Sequence, residues 1–120
     1  MRGIRTLAAF AVLAALVPIA GCGGKPRPRE TPDLLTYLES PDPAERAWAV
    51  SEICRTRDPA GLPAVVERLR DEDGGIRMMA FGGLKGWTGQ DHGYRPFAPE
   101  TEREAAVKRW EAWLEAGGPR

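Results

Sequence analysis

The sequence predicts an all-α protein, a short α-solenoid of two helical hairpins followed by a tryptophan-rich C-terminal capping helix. Three observations predict this fold class. The chain repeats its pattern of apolar and charged residues with an offset of 31 positions, and a period of ~20 to 50 residues indicates stacked supersecondary units. Aspartates followed by proline mark helix starts, and apolar residues near the C-terminus recur at helical spacing.

The first 21 residues are typical of a secretory leader. Arg2 and Arg5 form a short basic segment, and an uncharged run of 15 residues follows from Thr6 to Ala20. A helix that spans a bilayer needs about 20 apolar residues, so this run is short for a permanent anchor. Removal of the leader would leave an exported chain of 99 residues with a net charge of −2. Nothing in that composition points to nucleic acid.

The leader ends in Ile19-Ala20-Gly21-Cys22, which resembles the lipobox of bacterial lipoproteins. The resemblance implies cleavage before Cys22 and a lipid on its thiol. Acyl chains there would anchor the chain to a membrane, because each buried methylene contributes about 0.8 kcal/mol. We therefore expect a lipoprotein of the cell envelope. Because Gly23 is not the Asp of inner-membrane retention, the outer membrane facing the periplasm is favoured if the cell has two membranes. An ordinary secretory signal with an incidental Cys22 is the alternative.

Residues 22–32 are predicted to be the lipidated cysteine and a tether. Positions 23–32 hold three prolines, two glycines and three basic residues, a composition that cannot bury a core. Lys25, Arg27 and Arg29 are expected to be solvated, although beside a lipid anchor they would also favour an anionic membrane surface.

The first repeat is predicted over residues 33–57, within a repeat region that extends to residue 90. Thr31 is expected to cap its first helix. The apolar stripe of that helix consists of Leu34, Leu35 and Leu38. Asp42 is expected to cap the second helix, which continues to about Cys54, and Glu45 completes a capping-box arrangement.

The second repeat is predicted over residues 58–88. Asp58 is expected to start the third helix, with Pro63 tolerated in the first turn. The apolar face of that helix consists of Val65, Val66 and Leu69. Asp73 is expected to cap the fourth helix, at the end of an acidic Asp71-Glu72-Asp73 turn that we expect to be solvated. Calcium binding is the alternative, but the spacing of a calcium loop is missing.

Paired glycines lie inside the predicted fourth helix. An interior glycine costs about 1 kcal/mol relative to alanine, so Gly82 and Gly83 either break the helix or permit close helix packing. We expect close packing, because four apolar side chains remain available for burial. These are Met78, Met79, Phe81 and Leu84.

The repeated positions carry a family resemblance. They are Leu38, Pro41 to Arg46, Ala49, Ile53, Asp58 to Val66, Leu69 to Asp73, Ile76-Arg77, Ala80 and Leu84. In this pattern the chain is similar to bacterial HEAT repeats of the phycobilisome-lyase-like type. The resemblance implies a right-handed stack of helix pairs, a turn Asp that caps the second helix, and an Arg four residues later that braces neighbouring turns. These structural roles fall on Asp42 with Arg46 and on Asp73 with Arg77. The departures from the family pattern are Glu45, Thr56 and the paired glycines.

Residues 91–120 are predicted to form a loop and the capping helix. The segments from Trp87 to Pro96 and from Glu104 to Trp113 resemble the ending of many HEAT-repeat proteins from environmental bacteria. Because the last repeat of a solenoid exposes an apolar side, a helix from about Pro99 or Thr101 to Glu115 would cover it. Its apolar stripe consists of Ala106, Val107, Trp110, Trp113 and Leu114, with the two tryptophans as its core. Gly117-Gly118-Pro119 would end it.

No catalytic residue, metal site or cofactor is expected. His92 beside Asp91 could be a metal ligand or a base, but a single histidine lacks the spacing and number of a zinc site, so loop packing or exposure is favoured. Cys54 is expected to be a partly buried helix residue rather than a redox centre. Six aromatics could form a ligand cage, but most are expected to fill the core or the capping helix. They are Trp48, Trp87, Tyr94, Phe97, Trp110 and Trp113.

The sequence favours a membrane-anchored protein-protein interaction scaffold over an enzyme. The repeat and the lack of a catalytic constellation favour an adaptor that presents its second helices to a protein partner of the envelope. One alternative is an accessory subunit or chaperone of an enzyme complex, as the lyase-like repeat type implies, and another is a purely structural membrane-tethered spacer. Two repeats are fewer than the three or so that a solenoid usually needs, so self-association is also predicted.

Overall fold

The structure, a computed structural model, describes residues 33–120. The predicted leader (residues 1–21), the lipid attachment at Cys22 and the remainder of the tether lie outside the described residues. Every regular element from residue 33 onward is helical, which confirms the all-α prediction. The helices are α1 (Leu34–Leu38), α2 (Pro43–Thr56), α3 (Leu62–Glu67), α4 (Gly74–Thr88) and α5 (Glu100–Glu115), with 3₁₀ turns at Pro59–Gly61 and Arg68–Arg70. None of these helices is long and apolar enough to cross a membrane.

The helices form two layers. Helix α1 packs on α2 and α3 packs on α4, which gives two helical hairpins. The second helices of the hairpins, α2 and α4, pack extensively on each other, while α3 contacts both α1 and α5. The first helices and α5 therefore make one layer, and α2 and α4 make the other.

The core between the layers follows the repeat. Three pairs of residues separated by 31 positions occupy equivalent buried sites, with each residue at most 2% exposed. These pairs are Leu38 with Leu69, Ala49 with Ala80, and Ile53 with Leu84. Burial of a Leu, Ile or Val side chain contributes about 1.5–3 kcal/mol, so these positions hold the hairpins together.

The first helix begins later than the sequence predicts. The cap of the described helix is Asp33, whose carboxylate accepts the Leu35 N–H at 3.2 Å, and the predicted cap Thr31 lies outside the described residues. Of the predicted stripe, Leu38 is buried and Leu34 is partly buried, but Leu35 is 45% exposed. At 100° per residue, Leu35 lies about 100° from Leu34 and about 60° from Leu38 around the helix, so it falls at the edge of the stripe.

The third helix is divided. Asp58 accepts the Ala60 N–H at 3.0 Å and begins a 3₁₀ turn, and α3 itself starts only at Leu62. Pro63 lies in the first turn of α3 and has no N–H to continue an α-helical ladder from the preceding turn. Gly61 also lies so close to α2 that a Cβ there would be 2.4 Å from Ile53 Cγ2.

Helix α4 is continuous through its paired glycines. A Cβ at Gly83 would lie 2.4 Å from Cys54 Sγ, so this glycine permits the close approach of α2 and α4. The expected burial of the two methionines is wrong, because Met78 is 53% and Met79 is 40% exposed. The buried line of α4 is Ile76, Ala80 and Leu84, and at 100° per residue the methionines fall largely outside it.

Candidate protein-interaction surface

Three aspartates cap α2, α4 and the first 3₁₀ turn. The carboxylate of Asp42 accepts the Ala44 N–H at 2.9 Å, and that of Asp73 accepts the Gly75 N–H at 2.7 Å. Asp58 caps its 3₁₀ turn as described above. Each such cap stabilises a helix by about 1 kcal/mol.

The predicted capping box at the start of α2 has a different geometry. Glu45 does not reach the Asp42 N–H. That N–H is donated to Ser40 Oγ at 3.1 Å, and the Ser40 hydroxyl is donated to Glu45 Oε2. The serine hydroxyl therefore relays the interaction that a direct capping box would make.

Arg46 joins the two hairpins. Its side chain is 7% exposed, and it donates from Nε and Nη2 to the two carboxylate oxygens of Asp71 at 2.9 and 3.1 Å. Its Nη1 donates to the Ser40 carbonyl at 2.8 Å, within its own hairpin. The guanidinium thus holds the turn of the first repeat against that of the second.

Asp71 is buried, contrary to the solvated turn that the sequence predicts. Burial alone would raise the pKa of its carboxyl, but hydrogen bonds from Arg46 and from the Asp73 N–H outweigh burial and lower the pKa. The repeat offset offers one signal, since Asp71 stands where Ser40 stands and its Oδ1 likewise accepts the N–H two residues on, at 2.9 Å. Nothing in the repeat pattern indicates that the partner of Asp71 is Arg46, 25 residues earlier.

Arg77 repeats part of this arrangement in the second hairpin. Its Nη1 donates to the Asp71 carbonyl at 2.8 Å, the contact equivalent to Arg46 with Ser40. Its Nε donates to the Pro96 carbonyl at 2.9 Å, in the loop before α5. Each arginine therefore ties its own turn to the segment that follows.

Helix α5 packs its apolar residues against α3 and the following 3₁₀ turn. Ala106, Val107 and Trp110 are fully buried, whereas Trp113 is only partly buried. Arg70 adds ion pairs to Glu104 and Glu111, each at 2.7 Å. The contact thus combines buried apolar side chains with ion pairs.

The loop before α5 is fixed by packing. Tyr94 is buried and donates its hydroxyl to the Leu69 carbonyl at 2.6 Å, a contact that sequence reasoning missed. The His92 ring lies edge-on to Trp110, with centroids 4.5 Å apart, and its backbone φ is 48°. Burial lowers the pKa of His92, while Asp91 raises it and Arg109 lowers it further.

The exposed side of α2 and α4, here named the second-helix face, consists of Trp48, Ser51, Arg55, Met78, Met79, Gly82 and Gly86. Trp48 is 41% exposed and stacks edge-on against Tyr37. Four of the six aromatics are buried or partly buried, as expected for most of them, and the two exceptions are Trp48 and Phe97, which is 71% exposed. The face thus combines large apolar side chains with two glycines.

A groove of about 490 Å³ runs between α2 and α4 beside this face. Its lining is Val50, Ser51, Cys54, Arg55, Arg57, Met79, Gly82, Gly83, Gly86 and Trp87. The lining has two cations and no carboxylate. Arg55 is paired with Glu52 at 2.8 Å, whereas the hydrogen bond of Arg57 is a long one of 3.5 Å to the Gly86 carbonyl. The groove therefore has an apolar floor and a basic end.

Two glycines of the groove have no structural explanation within the fold. A Cβ at Gly82 or Gly86 would meet no atom within 4 Å, in contrast to Gly83. Each nevertheless costs about 1 kcal/mol relative to alanine in a helix interior. Their effect is to keep the groove wide and the α4 backbone accessible from outside.

Metal-ligating residues do not cluster in the described part of the chain. Within residues 33–120, no group of three or more His, Cys, Asp or Glu side chains could hold a metal ion. Cys54 is a free, partly buried cysteine whose thiol pKa is raised by burial.

Comparison with known proteins agrees with the two-layer helical fold. A family model described as HEAT repeats matches residues 31–97, more than half of the chain. Searches of curated proteins and of solved structures found no significant match. On the strength of the family match and the stacked hairpins, the chain belongs to the HEAT repeat family.

Proposed function

We propose that this protein is a membrane-anchored, non-catalytic adaptor that binds a protein partner on its second-helix face. The observation that carries the proposal is the distribution of exposed apolar side chains. Five large ones are exposed in residues 33–120, and Trp48, Met78 and Met79 of these lie on the one face. Exposed apolar patches mark interaction sites, and aromatic and methionine side chains are enriched there.

The groove extends this argument. HEAT repeats commonly mediate protein-protein interaction, and the apolar floor beside Gly82 and Gly86 would admit a partner backbone closely. Flexible methionine side chains adapt to the shape of a partner. The basic end at Arg57 favours a partner segment with a carboxylate at the matching position.

The membrane anchor is a second part of the proposal. It rests on the secretory leader and on the lipobox-like sequence that ends at Cys22. A lipid there would place the domain on the outer face of a cell membrane, and in a two-membrane cell on the periplasmic side of the outer membrane. The proposal has three further parts. They are the right-handed sense of the stack, the capping role of α5 with Trp110 and Trp113, and self-association.

Two measurements on cells that express the full chain test these parts. Metabolic labelling with an alkyne analogue of palmitate should mark the wild type and the Cys54→Ser control but not Cys22→Ser. A photo-reactive amino acid in place of Met79 should give a discrete protein adduct, while the same group at exposed Lys108 on α5 should not. Label on Cys22→Ser would refute the anchor, and identical or absent adducts at both positions would refute the binding face.

A further inference from the structure

A cleft lies where the C-terminal ends of α4 and α5 meet. It has a volume of about 420 Å³ and is lined by Trp87, Thr88, Gln90, Trp113 and residues 118–120. That volume falls in the range of ~300–1,000 Å³ that is typical of ligand pockets in proteins. We name it the helix-end cleft.

Two glycine turns shape the helix-end cleft. Gly89 has a φ of 71° and ends α4 by donating its N–H to the Lys85 carbonyl at 2.8 Å, so Gln90 lies beside the end of its own helix. After α5, Gly118 has a φ of 62° and donates its N–H to the Trp113 carbonyl at 3.0 Å. Glycine adopts these backbone angles without steric cost. The residues after each helix therefore fold back and become walls of the cleft.

The two tryptophans of the cleft are held in place by their neighbours. Trp87 and Trp113 are each partly buried and pack against the core cluster. The Trp113 ring also lies edge-on to Trp110, with centroids 5.7 Å apart, and 5.6 Å from the ring of His92. A side chain that is already fixed loses little conformational freedom when a ligand binds. The cleft thus has rigid apolar walls.

Most polar side chains of the cleft are hydrogen-bond donors without a partner. Within residues 33–120, the indole N–H groups of Trp87 and Trp113, the Gln90 amide and the Arg120 guanidinium form no hydrogen bond. Indole and guanidinium groups can only donate, and an amide offers two N–H groups for one carbonyl. The free polar groups therefore call for acceptors on a ligand.

The acceptors of the cleft are largely occupied. The Thr88 hydroxyl accepts the Gln90 N–H at 3.1 Å and donates to a carbonyl of its own helix at 2.8 Å. The carbonyls of Trp113 and Leu114 accept N–H groups from the turn that follows α5. No side-chain carboxylate from residues 33–120 lines the cleft. A ligand with many donors of its own would find few partners here.

We propose that the helix-end cleft binds a proline-rich segment of a protein partner in the polyproline II conformation. Such a segment has exposed carbonyls as acceptors and no N–H on its prolines. Its rings dock on aromatic walls, and its conformation is formed before binding, which lowers the entropic cost. An oligosaccharide also has apolar faces for the indoles, but its hydroxyls need acceptors as well as donors.

The helix-end cleft adjoins the groove beside the second-helix face. Trp87 lines both, so one partner chain can occupy the groove and the cleft together. Docking in the cleft nevertheless rests on its own walls and donors. It does not require that the second-helix face be a binding surface.

Indole signals in NMR spectra test the docking directly. The chain has four tryptophans, and the full chain labelled with nitrogen-15 gives one indole N–H signal for each, which single Trp→Phe variants assign. Decaproline should shift the signals of Trp87 and Trp113 and leave that of Trp48, on the second-helix face, in place. A glycine-serine decapeptide should bind roughly tenfold more weakly or worse, because it is a flexible coil that must be ordered on binding.

Two substitutions at exposed positions test the hydrogen-bond donors without a change in the core. Gln90→Glu and Arg120→Glu replace donors by a carboxylate that repels the carbonyls of the peptide, so the double variant should weaken decaproline binding roughly tenfold or more. Lys108→Glu makes the same charge change as Arg120→Glu at an exposed site outside the cleft. This matched control should keep the affinity within about twofold.

Four results would overturn the proposal. They are no shift of the Trp87 and Trp113 signals, a shift of the Trp48 signal instead, unchanged affinity in the double variant, and tighter binding of chitotetraose than of decaproline.

Discussion

Arg46 and Asp71 form a buried, two-point ion pair that links the two hairpins across 25 residues of sequence. Their side chains are 7% and 2% exposed. Removal of one partner of a buried pair leaves the other charge without compensation and costs about 3–5 kcal/mol. The pair therefore makes the hairpins depend on each other rather than stack as independent units.

Asp71→Ala should lower the free energy of unfolding by about 3–5 kcal/mol, because it leaves the buried guanidinium of Arg46 without its buried carboxylate partner. Arg55→Gln removes an exposed ion pair with Glu52 and should change it by less than about 1 kcal/mol. Urea unfolding followed by circular dichroism measures both. Equal effects of the two variants would show that the pair does not couple the hairpins.

Stability should fall on mild acidification because of His92. Burial holds its pKa in the folded state below the ordinary value, so the unfolded state binds a proton first as the pH falls. The contribution of neutral His92 to the free energy of unfolding is therefore fully present above about pH 6.5, the ordinary histidine pKa. It declines as the pH falls below that value. The lowered pKa of Asp71 acts in a separate window, below the ordinary pKa of a carboxyl near 4.

Thermal unfolding between pH 5 and 7 measures the histidine contribution. The chain has a single histidine, so His92→Gln is a direct control and should flatten the dependence over this interval. A wild-type slope that persists in the variant would assign the effect to other groups.

Three glycines of α4 should respond differently to alanine. Gly82→Ala and Gly86→Ala meet open space and should each raise stability by about 0.5–1 kcal/mol. Gly83→Ala should lower it, because the new Cβ would lie 2.4 Å from Cys54 Sγ and force the two helices apart. Calorimetry of the three variants gives the comparison. A loss of stability in all three would mean that Gly82 and Gly86 serve the fold rather than an external contact.

Trp110→Ala should cost about 3–5 kcal/mol, the usual loss for a large core aromatic, because the Trp110 side chain is fully buried and belongs to the helix that packs on α3. Trp113→Ala should cost less, since Trp113 is partly exposed. Guanidinium unfolding gives both values. If Trp110→Ala were no more destabilising than Trp113→Ala, α5 would not be an integral part of the core.

The features that the sequence predicts well are local or periodic. Repeated apolar positions identify Leu38 with Leu69 as core because burial in each hairpin obeys the same geometry. The burial of Asp71 could not be predicted in this way, since it depends on Arg46 from another hairpin. The exposure of Met78 and Met79 was missed for a related reason. Hydrophobicity alone does not say which side of α4 faces α2. The paired glycines that set this packing are compatible with either a helix break or a close helix contact.

Affinity measurements can show whether the partner binds on the second-helix face. Once photo-crosslinking has identified the partner, its dissociation constant should be measured for the wild type, Met79→Glu and Lys108→Glu. A carboxylate at position 79 buries a charge in the apolar part of the face, so binding should weaken at least tenfold, while the change at 108 on α5 should leave it within about twofold. Unchanged affinity for Met79→Glu, or an equal loss for Lys108→Glu, would contradict the assignment of the second-helix face as the binding surface.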